Sequence, residues 1–240
     1  AHLVGLSRDR SQWAAFVEYG AALAPHCSAA ERAGLLCELG EVALQQLKRE
    51  EQAVGFLNRA TTGEMISLEA GQWLERIHSK RGDWPQVVEA LIRQARASEG
   101  GEAASLFLKA ARTRRDALHD LRGAANIYDL VLKADPANPE ALRYRGDHLF
   151  DEGELLQAAE VYGALDAIEQ DLDLDDFDVQ MEQALFFFRF GECLRQTDQA
   201  EAALERYQGA LDLNRSHLPT LEAIGPLFIA MERWEEAGGV

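Results

Sequence analysis

The feature that most constrains this chain is a repeat. Residues 184–211 and 218–237 align at a constant step of 34, with Phe187 on Leu221, Phe190 on Ile224, Gly191 on Gly225, Leu194 on Phe228 and Ala203 on Ala237. Residues 105–138 and 139–172 align at the same step, with Leu108 on Leu142, Ala124 on Ala158 and Tyr128 on Tyr162. Between Gly146 and Gly191 the step is 45, one period plus an insertion of 11 residues. A period of this length is the mark of a small structural unit that stacks on copies of itself.

The unit reads as helical. Ala, Leu, Glu, Gln and Arg dominate the chain, and all favour helices. Runs of Val, Ile or Thr that would support strands are few. Apolar residues recur three and four apart, which makes one stripe along each helix. Helices are expected near 10–24, 30–46, 50–60, 65–80, 83–98, 102–117, 120–134, 139–151, 154–169, 179–196, 199–213, 217–231 and from 233 onward. Gly100-Gly101 and Pro219 mark breaks. Trp13, Trp84 and Trp234 each stand at the start of an expected helix.

The recurring residues have separate physical reasons. Gly146, Gly191 and Gly225 let a second helix approach the first closely, and Ala124, Ala158, Ala203 and Ala237 are the small residues on the other side of the crossing. Tyr128, Tyr162 and Tyr207 are expected to fill the space between neighbouring pairs. Gly153 suits a tight turn that needs positive φ. Two positions depart from the pattern: Arg112 and Glu75 stand where the first helix has a small residue.

The stretch EALRYRGDHLFDEGELLQAAEVYGAL, residues 140–165, resembles the tetratricopeptide repeat. Leu142, Gly146 and Leu149 match that family's helix A, Gly153 its turn, and Ala158 and Tyr162 its helix B. Pro136, within ADPANPEAL, matches the corner that ends helix B. The resemblance implies an all-α, right-handed superhelical solenoid of antiparallel helix pairs. It would run as one solenoid over residues 1–240, with about six pairs. The chain is expected to start and end mid-repeat, as a piece of a longer array or a larger protein. The implied function is a protein–protein interaction scaffold, not an enzyme, that binds a partner peptide or domain through the concave helix-A face. Two other readings are a regulatory or targeting module that contacts its own neighbouring domain, and an RNA-binding helical repeat. End-face stacking of two chains into a dimer is a further expectation.

The phenylalanines of ALFFFRFGEC, residues 184–193, divide by face. Phe187 and Phe190 are expected to meet helix B of their own pair, and Phe186 the preceding pair. Phe188 falls on the face that the resemblance assigns to the concave groove. Glu192 and Arg195 follow it at helical spacing, and Arg143, Asp147, Phe150 and Asp151 are the matching positions one pair earlier. These seven are the expected partner-binding residues. Glu222 and Ile229 extend the row on one side, and Lys109, Thr113 and Asp116 on the other. An exposed aromatic flanked by charges is a common contact anchor.

Charge narrows the partner. Residues 1–100 carry a balance of −2, residues 101–145 of +2 and residues 146–240 of −17. An acidic C-terminal third repels nucleic acid and anionic membrane, both of which need basic patches. The partner is therefore expected to be a protein or peptide with basic residues. The basic group Lys109, Arg112, Arg114 and Arg115 reads as a solvated, salt-bridged helix face, since Asp116 and Asp120 balance it and aromatics are lacking.

No other chemistry stands out. Cys27, Cys37 and Cys193 lack metal-ligand spacing and read as free thiols on helices in a reducing, cytoplasmic compartment. Asp171, Asp173, Asp175 and Glu182 have the spacing of a calcium loop, but Asp176 replaces the turn glycine. The acidic insertion at 170–180 reads instead as a solvated loop whose acids favour the start of the next helix. The six histidines are scattered, and neither a phosphate loop nor a nucleophile elbow is present. No catalytic residue, metal site or cofactor is expected. No apolar run reaches the roughly 18 residues of a membrane helix.

Overall fold

The computed structural model describes residues 4, 8, 12–62, 65–168 and 174–237. Among these residues every regular element is helical. Two compact units form, Ala1–Asp135 and Pro136–Val240. The N-terminal unit holds α1 (Trp13–Leu23), α2 (Ala29–Gln45), α3 (Glu50–Ala60), α4 (Leu68–Arg81), α5 (Trp84–Ala97), α6 (Gly100–Asp116) and α7 (Leu121–Ala134). The C-terminal unit holds α8 (Pro139–Asp151), α9 (Leu155–Asp166), α10 (Phe177–Gln196), α11 (Ala200–Leu213), α12 (Leu218–Ala230) and α13 (Trp234–Ala237). These agree with the expected helices to within a few residues. Trp13, Trp84 and Trp234 are each the first residue of a helix.

Within the units α2/α3, α4/α5, α6/α7, α8/α9, α10/α11 and α12/α13 form helix A/helix B pairs, joined by connections too short for anything but antiparallel neighbours. Each connection holds one residue in the left-handed region: Lys48, Gly82, His119, Gly153, Asp198 and Glu232. The next residue's N–H then closes back on the end of helix A, as from Arg49 to the Ala43 carbonyl at 2.8 Å and from Glu154 to that of Leu149 at 2.9 Å. This closure satisfies carbonyls that the helix end would leave bare. Only Gly82 and Gly153 have the residue type suited to that backbone.

Counting from the left-handed residue brings the first five pairs into register. The ninth residue on is Leu57, Leu91, Tyr128, Tyr162 or Tyr207, and all five are fully buried. The fifth is Ala53, Val87, Ala124, Ala158 or Ala203, also buried. Helix A meets this position with bare backbone. A Cβ added at Gly40 would lie 2.6 Å from the Leu57 side chain, and one at Gly191 would lie 2.7 Å from the Tyr207 ring. At Gly146 it would come closer still to Tyr162. Gly225, expected to act likewise, has nothing within that range among the described residues.

The two departures have local causes. In α6/α7 the left-handed His119 comes three residues after the end of helix A, whereas Gly153 comes two after the end of α8. Asp120 accordingly donates six residues back, to Arg114, where Glu154 donates five back. The extra residue shifts α6 by one position. Ala111, fully buried, takes the small-residue place, and Arg112 points outward. In α4 the close approach moves one turn earlier, to Gly71 against Gln94, and Glu75 is free to pair with Lys109 of α6.

Neighbouring pairs within each unit are stitched by arginines. Arg81 of α4 reaches Glu50 and Glu51 of α3, both at 2.6 Å, and Arg93 of α5 donates to Asn58 of α3 at 3.1 Å. Arg206 of α11 pairs with Asp166 of α9 at 3.0 Å.

Two substitutions test this frame. Gly146→Val drives methyl groups into the Tyr162 ring and should lower stability by about 1–3 kcal/mol in urea unfolding. His119→Gly should raise it by about 0.5–1 kcal/mol. Relief of left-handed strain is about 1–2 kcal/mol, and the added entropy of unfolded glycine takes back part of it. An unchanged midpoint for either variant counts against the frame.

Candidate functional site

The expected partner-binding residues all lie on α8 and α10, the A helices of the first two pairs in the C-terminal unit. Most are engaged inside the unit. Asp147 accepts a hydrogen bond from the Tyr162 hydroxyl at 2.7 Å and pairs with Arg189 at 2.9 Å. Glu192 accepts from the Tyr207 hydroxyl and from Arg195 at 2.8 Å. The two carboxylates are equivalent: each sits 15 residues before its tyrosine, one position past the helix-A glycine. Each phenol therefore reaches across the crossing at its tightest point and is held there by an acid.

Arg189 joins the two A helices. It spans from α10 to Asp147 and to Asp151, the latter at 3.5 Å, with its guanidinium 5.3 Å from the Phe150 ring centre. Arg143 reaches the other way, from α8 to the Gln183 side chain at 2.6 Å and the Glu182 carbonyl at 3.2 Å, above the Phe186 ring. Burial lowers the Arg143 pKa. Arg143 is thus part of the packing between A helices, a correction to its expected place on an open groove.

Phe188 also differs from expectation. It is half-buried rather than an open anchor. One side meets the Tyr207 ring at 6.2 Å, and an edge contact with His217 closes another at 5.4 Å. His217 precedes α12 and is held by Thr220 at 2.7 Å, so the next A helix supplies the cover. The remaining phenylalanines behave as read, with one addition. Phe187 lies against Gly209 of α11, and Phe186 makes an edge contact with Tyr162 of the preceding pair at 5.5 Å. Phe190 meets both Arg206 of its own pair and Tyr162 of the preceding one.

Several side chains remain open on this face. Asp151 is 64% exposed and Arg195 38%. Ile229 of α12 is half exposed, Leu185 of α10 is exposed, and Glu222 forms no ion pair among the described residues. In the N-terminal unit, Lys109 is taken by Glu75, the Thr113 hydroxyl by the Lys109 carbonyl, and Asp116 by Arg115. Sequence reading missed Arg189, Gln183 and the tyrosine hydroxyls. The 15-residue spacing of acid and tyrosine, present twice, was the available signal.

Asp171 and Asp173 of the possible calcium loop lie outside the described residues. Asp176 caps α10 by accepting from the Asp178 and Val179 N–H groups. Among the described residues no group of three His, Cys, Asp or Glu side chains could hold a metal ion. Cys27, Cys37 and Cys193 are free thiols, and burial pushes that of Cys193 up to about 12. No described helix is long and apolar enough to cross a membrane.

The helix pairs, their left-handed turns and the shared crossing define the class of fold: an all-α, tetratricopeptide-like helical repeat. No protein-family model and no curated protein matches the chain. Solved structures similar to it include MamA residues 41-end from Desulfovibrio magneticus RS-1, at 18% identity and a TM-score of 0.47, over 72% of this chain and 89% of that one. YrrB, described as a TPR protein with an unusual peptide-binding site, is 19% identical with a TM-score of 0.43, over 80% of this chain and 91% of that one. The C-terminal part of a TPR repeat-containing protein from Cytophaga hutchinsonii is 11% identical with a TM-score of 0.44, over 91% and 84%.

The acid–tyrosine pairs predict a pH response. Burial, then the nearby Asp147 charge, raises the Tyr162 pKa, and burial with the bond to Glu192 raises that of Tyr207. Their contribution to stability is complete below the free-tyrosine value of about 10 and is lost as pH rises beyond it. Burial opposes ionisation of Glu192, but hydrogen bonds from Arg195 and Tyr207 outweigh it and hold its pKa low. That contribution is lost as pH falls below about 4.3. In an alkaline absorbance titration, at least two of the five tyrosines should ionise only as the helical signal collapses. Five tyrosines titrating together in a still-helical protein would contradict the geometry.

Proposed function

We propose that the chain is a protein-interaction module whose C-terminal unit binds a peptide with basic residues along the A-helix face. The supporting observation is what internal pairing leaves over. Residues 136–240 carry 7 basic and 23 acidic side chains, a balance of −16, and Arg143, Arg189, Arg195 and Arg206 are already engaged with neighbouring helices or acids. The outward groups on α8, α10 and α12 are acidic, such as Glu222 and Asp151, the latter mostly exposed although Arg189 reaches it at 3.5 Å, or apolar, such as Leu185 and Ile229. Phe150 and Phe188 each keep part of a ring open beside them. A mixed acidic and apolar strip suits an extended or helical segment with Lys or Arg and an apolar side chain.

Asp147 and Glu192 are poor choices for testing this, because reversing them would break the helix crossings. The informative change is Asp151→Lys/Glu222→Lys, whose side chains face solvent. Peptides selected from a displayed library against the purified protein should be enriched in Lys and Arg with an aromatic or aliphatic neighbour. Their affinity should fall about tenfold or more in the double variant, with circular dichroism unchanged. Selection of acidic peptides, or equal binding by the variant, would reject this assignment.

A further inference from the structure

The N-terminal unit has a cleft of its own, separate from the face just described. The end of α2, the turn after it, the first residue of α3 and the last turns of α4 line an open cleft of about 360 Å³. Its polar lining is Gln45, Lys48, Glu50, Arg76 and Lys80, and its apolar lining is Leu44 and Ile77. We infer that this cleft binds an acidic peptide segment bearing an apolar side chain, the opposite polarity to the C-terminal face.

The first reason is the absence of internal partners. The chain has 41 acids against 24 Lys and Arg, so a cation with no carboxylate beside it is not the default. Yet Lys48, Arg76 and Lys80 form no ion pair among the described residues. The acid among the cleft-lining residues, Glu50, pairs with Arg81 at 2.6 Å. Three cations and the single carboxylate of Glu50, itself shared with Arg81, leave the cleft lining net positive, which attracts an added anion.

The second reason is that the cations are placed. Lys48 holds the left-handed position of the α2–α3 turn, with φ 57°. The turn is tied down on both sides, by the Leu47 N–H to the Val42 carbonyl at 3.2 Å and the Arg49 N–H to that of Ala43 at 2.8 Å. Arg76 lies with its guanidinium 4.7 Å from the centre of the Trp73 ring. Lys80 follows Arg76 by four residues, on the same face of α4.

The third reason concerns what fits. The volume is at the lower end of ligand clefts and takes one or two side chains rather than a folded domain. Leu44 and the buried Ile77 offer an apolar contact that a bare inorganic anion cannot use. Among the described residues no aromatic side chain lines the cleft, and base stacking on aromatics is a main part of single-stranded nucleic-acid binding.

The test uses the full chain and a short fluorescein-labelled peptide of alternating glutamate and leucine. Anisotropy should rise saturably at low salt and weaken as salt is added. Lys48→Glu/Lys80→Glu should weaken binding about tenfold or more, and Arg76→Ala should weaken it less, each with unchanged circular dichroism. Asp151→Lys/Glu222→Lys, on the other unit, should leave it unaffected. A peptide with serine in place of leucine should bind more weakly. The inference is overturned by no saturable rise, by equal binding to the charge-reversed variant, or by equal binding of the serine peptide. Displacement by oligouridylate as effective as by the unlabelled peptide would also overturn it, and would make the cleft a general polyanion site.

Discussion

The contact on which the rest of this structure depends is the crossing between helix A and helix B. Three of the crossings set a large side chain, Leu57, Tyr162 or Tyr207, against a helix-A backbone stripped to glycine at Gly40, Gly146 or Gly191. No Cβ can intervene at that distance, so the helices approach further than ordinary side chains allow, and the large group is sealed from water. The left-handed residue in the turn sets the register of this contact, because it fixes how many residues separate the helix-A glycine from the helix-B ring. One extra turn residue before His119 therefore moves the small position of α6 from 112 to 111, with no change in composition.

The closeness of the crossing also governs the electrostatics. Once the Tyr162 and Tyr207 rings are buried, their hydroxyls need acceptors, and Asp147 and Glu192 stand one residue beyond each glycine to supply them. Those acids then hold Arg189 and Arg195. A chain of consequences runs from a glycine through a phenol to a carboxylate and an arginine. Two of the most suggestive charges for partner recognition are thereby given to the fold. Net charge is a property of composition, whereas the charge available to a partner is what remains after internal pairing. The same distinction runs the other way at Lys48, Arg76 and Lys80, where a nearly neutral stretch of sequence presents a concentrated positive cleft.

Much of the fold was legible because its causes are local. Helix boundaries follow from propensity, capping and apolar periodicity, and the recurring Ala158, Ala203 and Tyr162, Tyr207 positions are visible by eye. The misreadings share one origin, which is that a helical wheel does not reveal which neighbour covers a side chain. Phe188 falls on an outward face of α10 by spacing, yet His217 from the next pair lies against it. Arg143 has the spacing of a groove residue, yet it reaches Gln183, 40 positions along the chain.

The sequence by itself determined the all-helical class, the 34-residue unit, the pairing of helices and the crossing residues Gly146, Gly191, Tyr162 and Tyr207, since these rest on periodicity and on side-chain size. Only the tertiary structure decided which acids and arginines are consumed by packing, where Gly71 and Ala111 take the close approach in place of positions 75 and 112, and that Lys48 of the turn after α2 and Arg76 and Lys80 of α4 meet at one cleft. Those outcomes depend on distances between residues far apart in the chain. Such distances are set by turn geometry and helix packing, not by the local pattern that a sequence displays.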